Sequence, residues 1–290
     1  MKVVITGAGG QLGKELLLNS PVGVDLHVFT SNELDIVNQD IVNKTIESLN
    51  PDVIINSAAY TDVDRAESES ERAYSVNRDG VAFLAEAAGK TGSRLVHIST
   101  DFVFDGSRCR PYLPEDKPNP LGVYGASKLA GEERVAALLA DALIIRTSWL
   151  YSVHGPNFVK TMLRLMGKHR ELGVVSDQIG TPTWANELAR GIWRSVEAGL
   201  SGKHHWTDSG VASWYDFASA IYEEALALNI LKSKITIKPI RTNDYPTPAQ
   251  RPSYSVLNKD SMTDALNYTP PHWRVNLRKM LRNFKGHEDE

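Results

Sequence analysis

Three glycines, spaced three residues apart, separate a strand-like run from a helix-like run near the start of the chain. Residues 2–6 are rich in β-branched side chains, as buried parallel strands are. Gly7, Gly10 and Gly13 follow, and residues 14–19 have a helical composition. Glycines allow a tight turn and close approach to the backbone, and a helix N-terminus offers free N–H groups to a pyrophosphate. The pattern predicts a dinucleotide site, although glycines also occur in strand–helix turns that bind no ligand.

The first half of the chain alternates between strand-like and helix-like segments. Strand-like runs fall at residues 2–6, 26–30, 53–55, 94–99 and 142–147. The longest helix-like segment, residues 66–88, contains Asn77, whose simplest interpretation is a polar surface residue. Crossovers of this length connect parallel strands and cover both faces of the sheet. We therefore predict an α/β fold in which residues 1–148 form a Rossmann-like, doubly wound parallel sheet that binds NAD(P).

The alternation stops in the second half of the chain. Residues 183–198 and 214–228 have a helical composition, and residues 235–240 resemble a strand. Ser213 is a candidate N-cap for the second helix. We expect residues 149–290 to form mainly a smaller C-terminal substrate-binding lobe, with some segments returning to the Rossmann domain.

Composition and charge exclude several classes of protein. The chain has 290 residues and a formal net charge of −3, whereas a duplex-binding protein needs a basic surplus for its phosphate contacts. No apolar run approaches the roughly 18 residues of a membrane span. Cys109 is the single cysteine, so an internal disulfide is impossible. We predict a cytoplasmic protein that binds neither nucleic acid nor a membrane.

A tyrosine and a lysine stand four residues apart at positions 124 and 128. On a helix these two side chains share one face. A phenol with the ordinary pKa of about 10 is too weak an acid for proton transfer at neutral pH, and a nearby cation lowers that pKa. We therefore predict that Tyr124 is a general acid or base tuned by Lys128. The same spacing also arises by chance in a chain with ten tyrosines.

Polar residues follow the fourth strand-like run, at the end where α/β sheets place their ligands. Ser99, Thr100 and Asp101 stand there. Because strand side chains alternate between faces, Ser99 and Thr100 are not expected to face the site together. A hydroxyl at this point can hold a substrate carbonyl oxygen while Tyr124 protonates it. Small residues at 56–59, after the third run, leave room for a flat ring.

The end of the second strand-like run does not distinguish the two nicotinamide cofactors. A carboxylate there would bind the ribose 2′-hydroxyl of NAD, and an arginine would suit NADP. The chain has Thr30 and Ser31 at this point and neither diagnostic residue. Asp35 and Ile36 can cover the adenine by backbone and apolar contact. The residues alone leave NADPH and NADH open.

Together these motifs resemble the extended short-chain dehydrogenase/reductase family. The general motifs are the glycine turn, residues 56–59, Ser99-Thr100-Asp101 and Tyr124-x-x-x-Lys128. Six further segments are similar to those of the dTDP-4-dehydrorhamnose reductases within that family: residues 99–106, 119–132, 146–151, 157–158, 177–183 and 245–252. The resemblance covers nearly the whole chain.

The resemblance implies an NAD(P)H-dependent oxidoreductase that reduces the C4 ketone of dTDP-4-dehydro-L-rhamnose to dTDP-L-rhamnose, a step of dTDP-rhamnose biosynthesis. NADPH is the implied cofactor, with NADH as an alternative. Tyr124 would donate the proton, Lys128 would hold the nicotinamide ribose and Thr100 would orient the keto oxygen. The implied cofactor-binding residues are Gly7, Gly10, Gln11, Leu12, Gly13, Thr30, Asp35, Ile36, Ala59, Tyr60, Thr61, Tyr124 and Lys128. The implied substrate-binding residues are Thr100, Asp101, Trp149 and Arg251.

Some of these assignments have simpler alternatives, and the pattern has departures. Trp149 also suits a core aromatic residue, and Arg251 suits a surface ion pair as well as a substrate pyrophosphate. Position 102 is Phe, where many relatives have Tyr. Some relatives form dimers around Mg²⁺ held by carboxylates, for which Glu15 and Glu187 are candidates without a clear third ligand. We therefore predict no metal site and leave a homodimer open.

Two other functions fit the same scaffold. One is a different nucleotide-sugar reductase or epimerase. A dehydratase fits less well, because such relatives often carry a second carboxylate after the catalytic Thr-Asp pair, where this chain has Phe102. The other is a non-catalytic, cofactor-binding regulatory subunit of the methionine adenosyltransferase type.

Overall fold

The structure, a computed structural model, describes residues 1–232 and 234–288. Its strands are β1 (Lys2–Thr6), β2 (Asp25–Phe29), β3 (Val53–Asn56), β4 (Arg94–Thr100), β5 (Leu143–Thr147), β6 (Leu150–Tyr151), β7 (Glu171–Val175), β8 (Ile179–Gly180), β9 (Thr183–Trp184), β10 (Gly202–His205), β11 (Ala212–Ser213) and β12 (Thr236–Ile240). Its helices are α1 (Gln11–Leu18), α2 (Gln39–Leu49), α3 (Val63–Ala66), α4 (Ser70–Tyr74), α5 (Val81–Thr91), α6 (Val123–Leu138), α7 (Phe158–Met166), α8 (Ala185–Glu197), α9 (Trp214–Ala227), α10 (Asp260–Leu266) and α11 (Trp273–Glu288). Ser75–Gly80 form a π-helix, and Asp101–Val103 and Thr242–Asp244 form 3₁₀ turns.

Six strands form one parallel sheet in the order β10-β5-β4-β3-β1-β2. In the chain, β2 follows β1 on one side, and β3, β4 and β5 then follow on the other. The chain therefore changes direction across the sheet beside β1, which is the switch point where doubly wound sheets bind ligands. The prediction of a Rossmann-like α/β fold is confirmed.

Alternate residues of the central strands pack on opposite faces of the sheet. Val3 and Ile5 share a buried cluster with apolar residues of α1 and α8. Val4, between them, belongs to a cluster with residues of α2 and α5. Helices therefore cover both faces, and the C-terminal edge of the sheet is left to hold a site.

The second half of the chain has a buried core of its own. Tyr151, Phe217 and Trp273 belong to that core, together with apolar residues of α7, α9 and α11. Two segments pack against the first half of the chain: β10 pairs with β5 of the sheet, and Trp193 of α8 donates a hydrogen bond to the carbonyl of Leu16 in α1 at 3.0 Å. The division into residues 1–148 and 149–290 stays a prediction, and residues 233, 289 and 290 of the second part lie outside the described residues.

Two helix-like segments differ from their sequence-based bounds. Residues 66–88 are not one helix, because the π-helix separates α4 from α5. Helix α8 begins at Ala185 rather than residue 183, because Thr183 and Trp184 pair with β6. The predicted cap of α9 is confirmed, since Ser213 and Asp216 form a capping box. Among the described residues, no helix combines the length and the apolar character needed to cross a bilayer.

Candidate functional site

A cleft of about 1340 Å³ runs along the C-terminal ends of β1, β3, β4 and β5. Its lining includes every site residue predicted from the sequence except Gly13. Gly13 instead lies behind the turn, where a Cβ atom would come within 2.4 Å of the carbonyl oxygen of Gly7. The structure thus brings the other predicted residues together in a single cleft, and it shows Gly13 packed closely against the turn.

The glycine turn has the geometry that a dinucleotide needs. Gly7 has a positive φ of 75°, and a Cβ there would lie 2.5 Å from the amide nitrogen of Ala58. Gly10 is the N-cap of α1 and makes no side-chain capping bond, which leaves first-turn N–H groups available. Since Gln11 and Leu12 of that turn line the cleft, a pyrophosphate fits at this helix N-terminus.

The adenosine end of the cleft is polar but carries no strand-end carboxylate or arginine. Thr30, Asp35 and Ile36 line it. The nearby Glu33 turns back to accept hydrogen bonds from the backbone N–H and the hydroxyl of Thr30, both at 2.8 Å. These bonds lower the pKa of Glu33. Glu33 therefore stabilises the turn after β2.

Helix α6 brings Tyr124 and Lys128 to the end of β4. Its first turn packs tightly on the segment after β4, because a Cβ on Gly125 would lie 2.1 Å from the carbonyl oxygen of Phe102. The Phe102 and Tyr124 rings meet edge to face, with centroids 5.6 Å apart. Lys128 lies one turn further along and donates from Nζ to the carbonyl of Ile98 at 2.6 Å. The two side chains therefore share one buried face, as their spacing predicts.

The acid–base properties of this pair differ from the expectation that Lys128 lowers the pKa of Tyr124. Burial raises the pKa of Tyr124 to about 12, against the effect of a hydrogen bond with Thr100, and the charge of Asp101 raises it further. Burial also lowers the pKa of Lys128 to about 8, although Glu132 opposes this. Desolvation is thus the largest effect on Tyr124, which is a neutral phenol at neutral pH.

The hydroxyls at the end of β4 point to different partners. Ser99 donates to Glu132 at 2.6 Å. Glu132 also receives two hydrogen bonds from Arg146, at 2.8 and 2.7 Å, so Ser99 belongs to a buried ion-pair network. Thr100 instead donates to Asp101 at 3.1 Å. The alternation of side chains along the strand therefore separates Ser99 from the Thr100 and Tyr124 site.

The π-helix places a residue that sequence interpretation missed. Asn77 is fully buried, and its amide accepts from the backbone N–H of Tyr60 at 2.9 Å and donates to its carbonyl at 3.0 Å. The same amide nitrogen donates to the Ser127 hydroxyl at 3.0 Å. Asn77 thus ties the cofactor end of the cleft to the helix that carries Tyr124. π-Helices often mark functional sites, but the sequence contains no signal that distinguishes this one from a regular turn.

The end of the cleft that we predict to bind the substrate contains Trp149, Trp214 and Arg251. Arg251 is paired with Asp64 at 2.8 Å while it lines the cleft. Although burial raises the pKa of Asp64, this partner holds it below the ordinary value. The Trp149 and Trp214 rings stack with centroids 3.5 Å apart. Trp214 was not identified from the sequence, where it is the first residue of a helical segment.

The two carboxylates considered for a metal have other partners. Glu15 accepts from the Asn186 side chain at 2.9 Å, and Glu187 accepts from the Tyr268 hydroxyl at 2.5 Å. In residues 1–232 and 234–288, no three His, Cys, Asp or Glu side chains are grouped as a metal ion would need.

Known proteins match the chain along its whole length. The family model for the RmlD substrate binding domain matches residues 1–285. A dTDP-4-dehydrorhamnose reductase from Aggregatibacter actinomycetemcomitans is 43% identical over 296 residues, which cover 99% of each protein. A crystal structure of such a reductase from Clostridium acetobutylicum has a TM-score of 0.93 at 39% identity, covering 98% of this chain and 100% of that one. The Bacillus anthracis reductase, solved in complex with NADP, has a TM-score of 0.92 at 39% identity, covering 97% and 99%.

The match extends from the glycine turn to the last helix, so it includes all the residues that line the cleft. The chain therefore belongs to the dTDP-4-dehydrorhamnose reductase family, as its motifs predict.

Proposed function

We propose that this chain catalyses the NADPH-dependent reduction of the C4 ketone of dTDP-4-dehydro-L-rhamnose to dTDP-L-rhamnose. The observation that carries the proposal is the convergence of Thr100, Tyr124 and Lys128 in one cleft with the glycine turn. The NADP complex of the Bacillus anthracis relative supports NADPH as the cofactor.

The cofactor fits the end of the cleft nearest β1 and β2. Gly7, Gly10, Gln11 and Leu12 would surround the pyrophosphate, and Thr30, Asp35 and Ile36 the adenosine end. Ala59, Tyr60 and Thr61 would contact the inner ribose and nicotinamide. NADPH supplies the hydride that reduces the ketone carbon.

The residues at the end of β4 supply the proton. Tyr124 carries its proton at neutral pH. The cationic side chain of Lys128, on the same face of α6, would stabilise the phenolate that remains after this proton is donated. Thr100 orients the keto oxygen toward that phenol, and Lys128 holds the nicotinamide ribose from the same face of α6. We assign substrate contact to Asp101, Trp149 and Arg251, which line the rest of the cleft.

The central test is Tyr124→Phe, which removes the proton donor and keeps the ring that packs on Phe102. We expect turnover to fall by about 10²- to 10⁴-fold, the usual contribution of general acid catalysis. NADPH affinity, measured by fluorescence titration, should stay within about two-fold, because the phenol hydroxyl acts in the chemical step rather than in cofactor binding. Tyr245→Phe is the matched control, since Tyr245 is 60% exposed and lies outside the cleft lining. Full turnover in Tyr124→Phe would overturn the assigned role.

A direct activity assay distinguishes the reductase from a non-catalytic regulatory subunit. Purified protein is mixed with the dTDP-keto sugar and with NADPH or NADH in parallel, and cofactor oxidation is followed by absorbance. Consumption supports the reductase, whereas tight cofactor binding without consumption supports the regulatory role. The same assay ranks the two cofactors. A cytoplasmic location is part of the proposal, and the single, exposed and free Cys109 supports it.

A further inference from the structure

Two tryptophans form one aromatic wall at the substrate end of the cleft. The Trp149 and Trp214 rings lie 3.5 Å apart with only 6° between their planes. Phe158 packs against Trp214 with a centroid distance of 4.6 Å. Both indoles line the cleft, together with Leu150 and Pro156. Trp149, Phe158 and Trp214 come from separate parts of the chain, so their stacked arrangement results from tertiary packing.

Hydrogen bonds and a close contact hold the stack in place. Trp214 donates from Nε1 to the Gln178 side chain at 3.2 Å, and Gln178 donates in turn to the Thr242 hydroxyl at 3.1 Å. A Cβ atom on Gly180 would lie 2.6 Å from the Trp149 ring, so only glycine leaves room for this ring position. Trp149 itself has a φ of 45°, an unusual backbone conformation for a bulky residue. Such strain persists where the surrounding structure fixes it, often at ligand sites.

The wall lies beside the cofactor end rather than at a distance from it. Asn157, at the start of α7, donates to the side chain of Gln11 in the glycine turn at 3.0 Å. Asn157 and Pro156 line the cleft with the two tryptophans. Thr147, two residues before Trp149, is also the register partner of Thr100 at the end of β4. The wall therefore lies in the same cleft as the glycine turn and follows the strand next to Thr100.

We propose that Trp214 is a second aromatic residue of the substrate site, which positions Trp149 and forms with it a rigid apolar wall for the deoxysugar ring. This inference rests on the proposed function. A 6-deoxy sugar carries a methyl group and ring C–H bonds that pack favourably on an aromatic surface, whereas a C6 hydroxyl would lose water there without gaining a partner. The wall thus favours a deoxysugar over a sugar with a C6 hydroxyl.

The first test separates binding from chemistry. Trp214→Leu is expected to raise the KM for the dTDP-keto sugar by about ten-fold, the effect of losing an aromatic pair and its contact area. The kcat should stay within about three-fold, because the wall binds the substrate and transition state alike. The NADPH dissociation constant should not change. Trp193→Phe is the control, since Trp193 is buried against Leu16 outside the cleft lining.

The second test uses the optical coupling of two stacked indoles. The circular dichroism spectrum should contain an exciton couplet in the wild type and in Trp193→Phe, and lack it in Trp214→Phe. Titration with dTDP-L-rhamnose should change the couplet of the wild type. A change in overall stability alone would not produce this pattern.

The results of these two tests decide whether Trp214 belongs to the substrate site. An unchanged KM in Trp214→Leu, or a couplet unaffected by bound dTDP-L-rhamnose, would overturn it. If Trp214→Leu does not fold, Gly180→Ala takes its place, because it keeps both indoles and displaces Trp149, and it must raise the KM in the same way. A wild type that does not oxidise NADPH with the keto sugar overturns the proposed function instead, and the couplet titration then decides the role of Trp214.

Discussion

Asp101 is buried at the C-terminal end of β4, beside the phenol that is proposed to donate the proton. Burial raises its pKa to about 6, although hydrogen bonds from Ser255 and Thr100 lower it in part. The sequence predicted that this carboxylate contacts the substrate, which stays a prediction. Its protonation state could not be predicted, since desolvation depends on what packs around it. For the same reason, the prediction that the pKa of Tyr124 is lowered was wrong. Residue positions followed from motifs, whereas their energetics required the folded surroundings.

The raised pKa of Asp101 makes stability depend on pH. The folded state binds a proton more tightly than the unfolded chain, so its favourable contribution is complete below about pH 4 and is lost as the pH rises through about 6. The full loss is about 3 kcal/mol for a shift from 3.8 to about 6. Asp101→Asn should therefore gain stability relative to the wild type between pH 4 and pH 8, measured by urea unfolding.

Asp105 provides a control of opposite sign. Hydrogen bonds from Asn119 and Ser107 hold its pKa well below the ordinary value, so its stabilising effect is present at neutral pH and is lost in acid. Asp105→Asn should therefore lose stability relative to the wild type as the pH rises from acid to neutral. The same pH trend in both variants would contradict the Asp101 prediction.

The N-terminal cap of helix α9 could be predicted from the sequence alone. Ser213 was predicted as its N-cap, and the structure contains the full capping box with Asp216, including a 3.0 Å bond from the Asp216 backbone N–H to the Ser213 hydroxyl. Such caps depend on residues three positions apart, which a sequence displays directly. The π-helix at Ser75–Gly80 instead packs closely on α6, where a Cβ on Gly131 would lie 2.1 Å from the carbonyl oxygen of Asn77. That tertiary contact leaves no local sequence signal.

Removal of the α9 cap should weaken the element that carries Trp214. Ser213→Ala loses the hydroxyl that accepts the first-turn N–H bond, and we expect the free energy of unfolding to fall by about 1 kcal/mol. Urea denaturation measures this change. Ser219→Ala, inside the same helix, is the control and should not destabilise, because alanine has the higher helix propensity. Equal effects of the two substitutions would contradict the capping role.

The two halves of the molecule share structure at the scale of the whole chain. Strand β10 completes the sheet beside β5, and Leu188, Ile192 and Trp193 of α8 belong to the same buried cluster as Val3 and Ile5 of β1. The sequence predicted that some segments return to the Rossmann domain but could not say which. Short strands such as β10, with the sequence Gly-Lys-His-His, lack the apolar pattern by which buried strands are recognised.

A fragment of residues 1–148 should therefore not fold as an independent unit. It would expose the edge of β5 and the face of α1 that α8 covers, leaving apolar surface in water. We expect the fragment to lack a cooperative thermal transition in calorimetry, and the full chain to unfold in one transition. A fragment with a sharp transition of its own would show that the returning segments are dispensable.

The late position of β10 in the chain also affects how the protein is made. Its partner β5 ends at Thr147, and β10 begins only at Gly202. At roughly 5–20 residues per second, a ribosome needs some seconds to synthesise the intervening chain. During that interval the nascent sheet has one open edge next to a highly apolar strand, Leu-Ile-Ile-Arg-Thr. Until β10 is synthesised, β5 can therefore pair with an exposed strand of another chain. A chaperone that covers β5 during this time would protect the growing chain from such association.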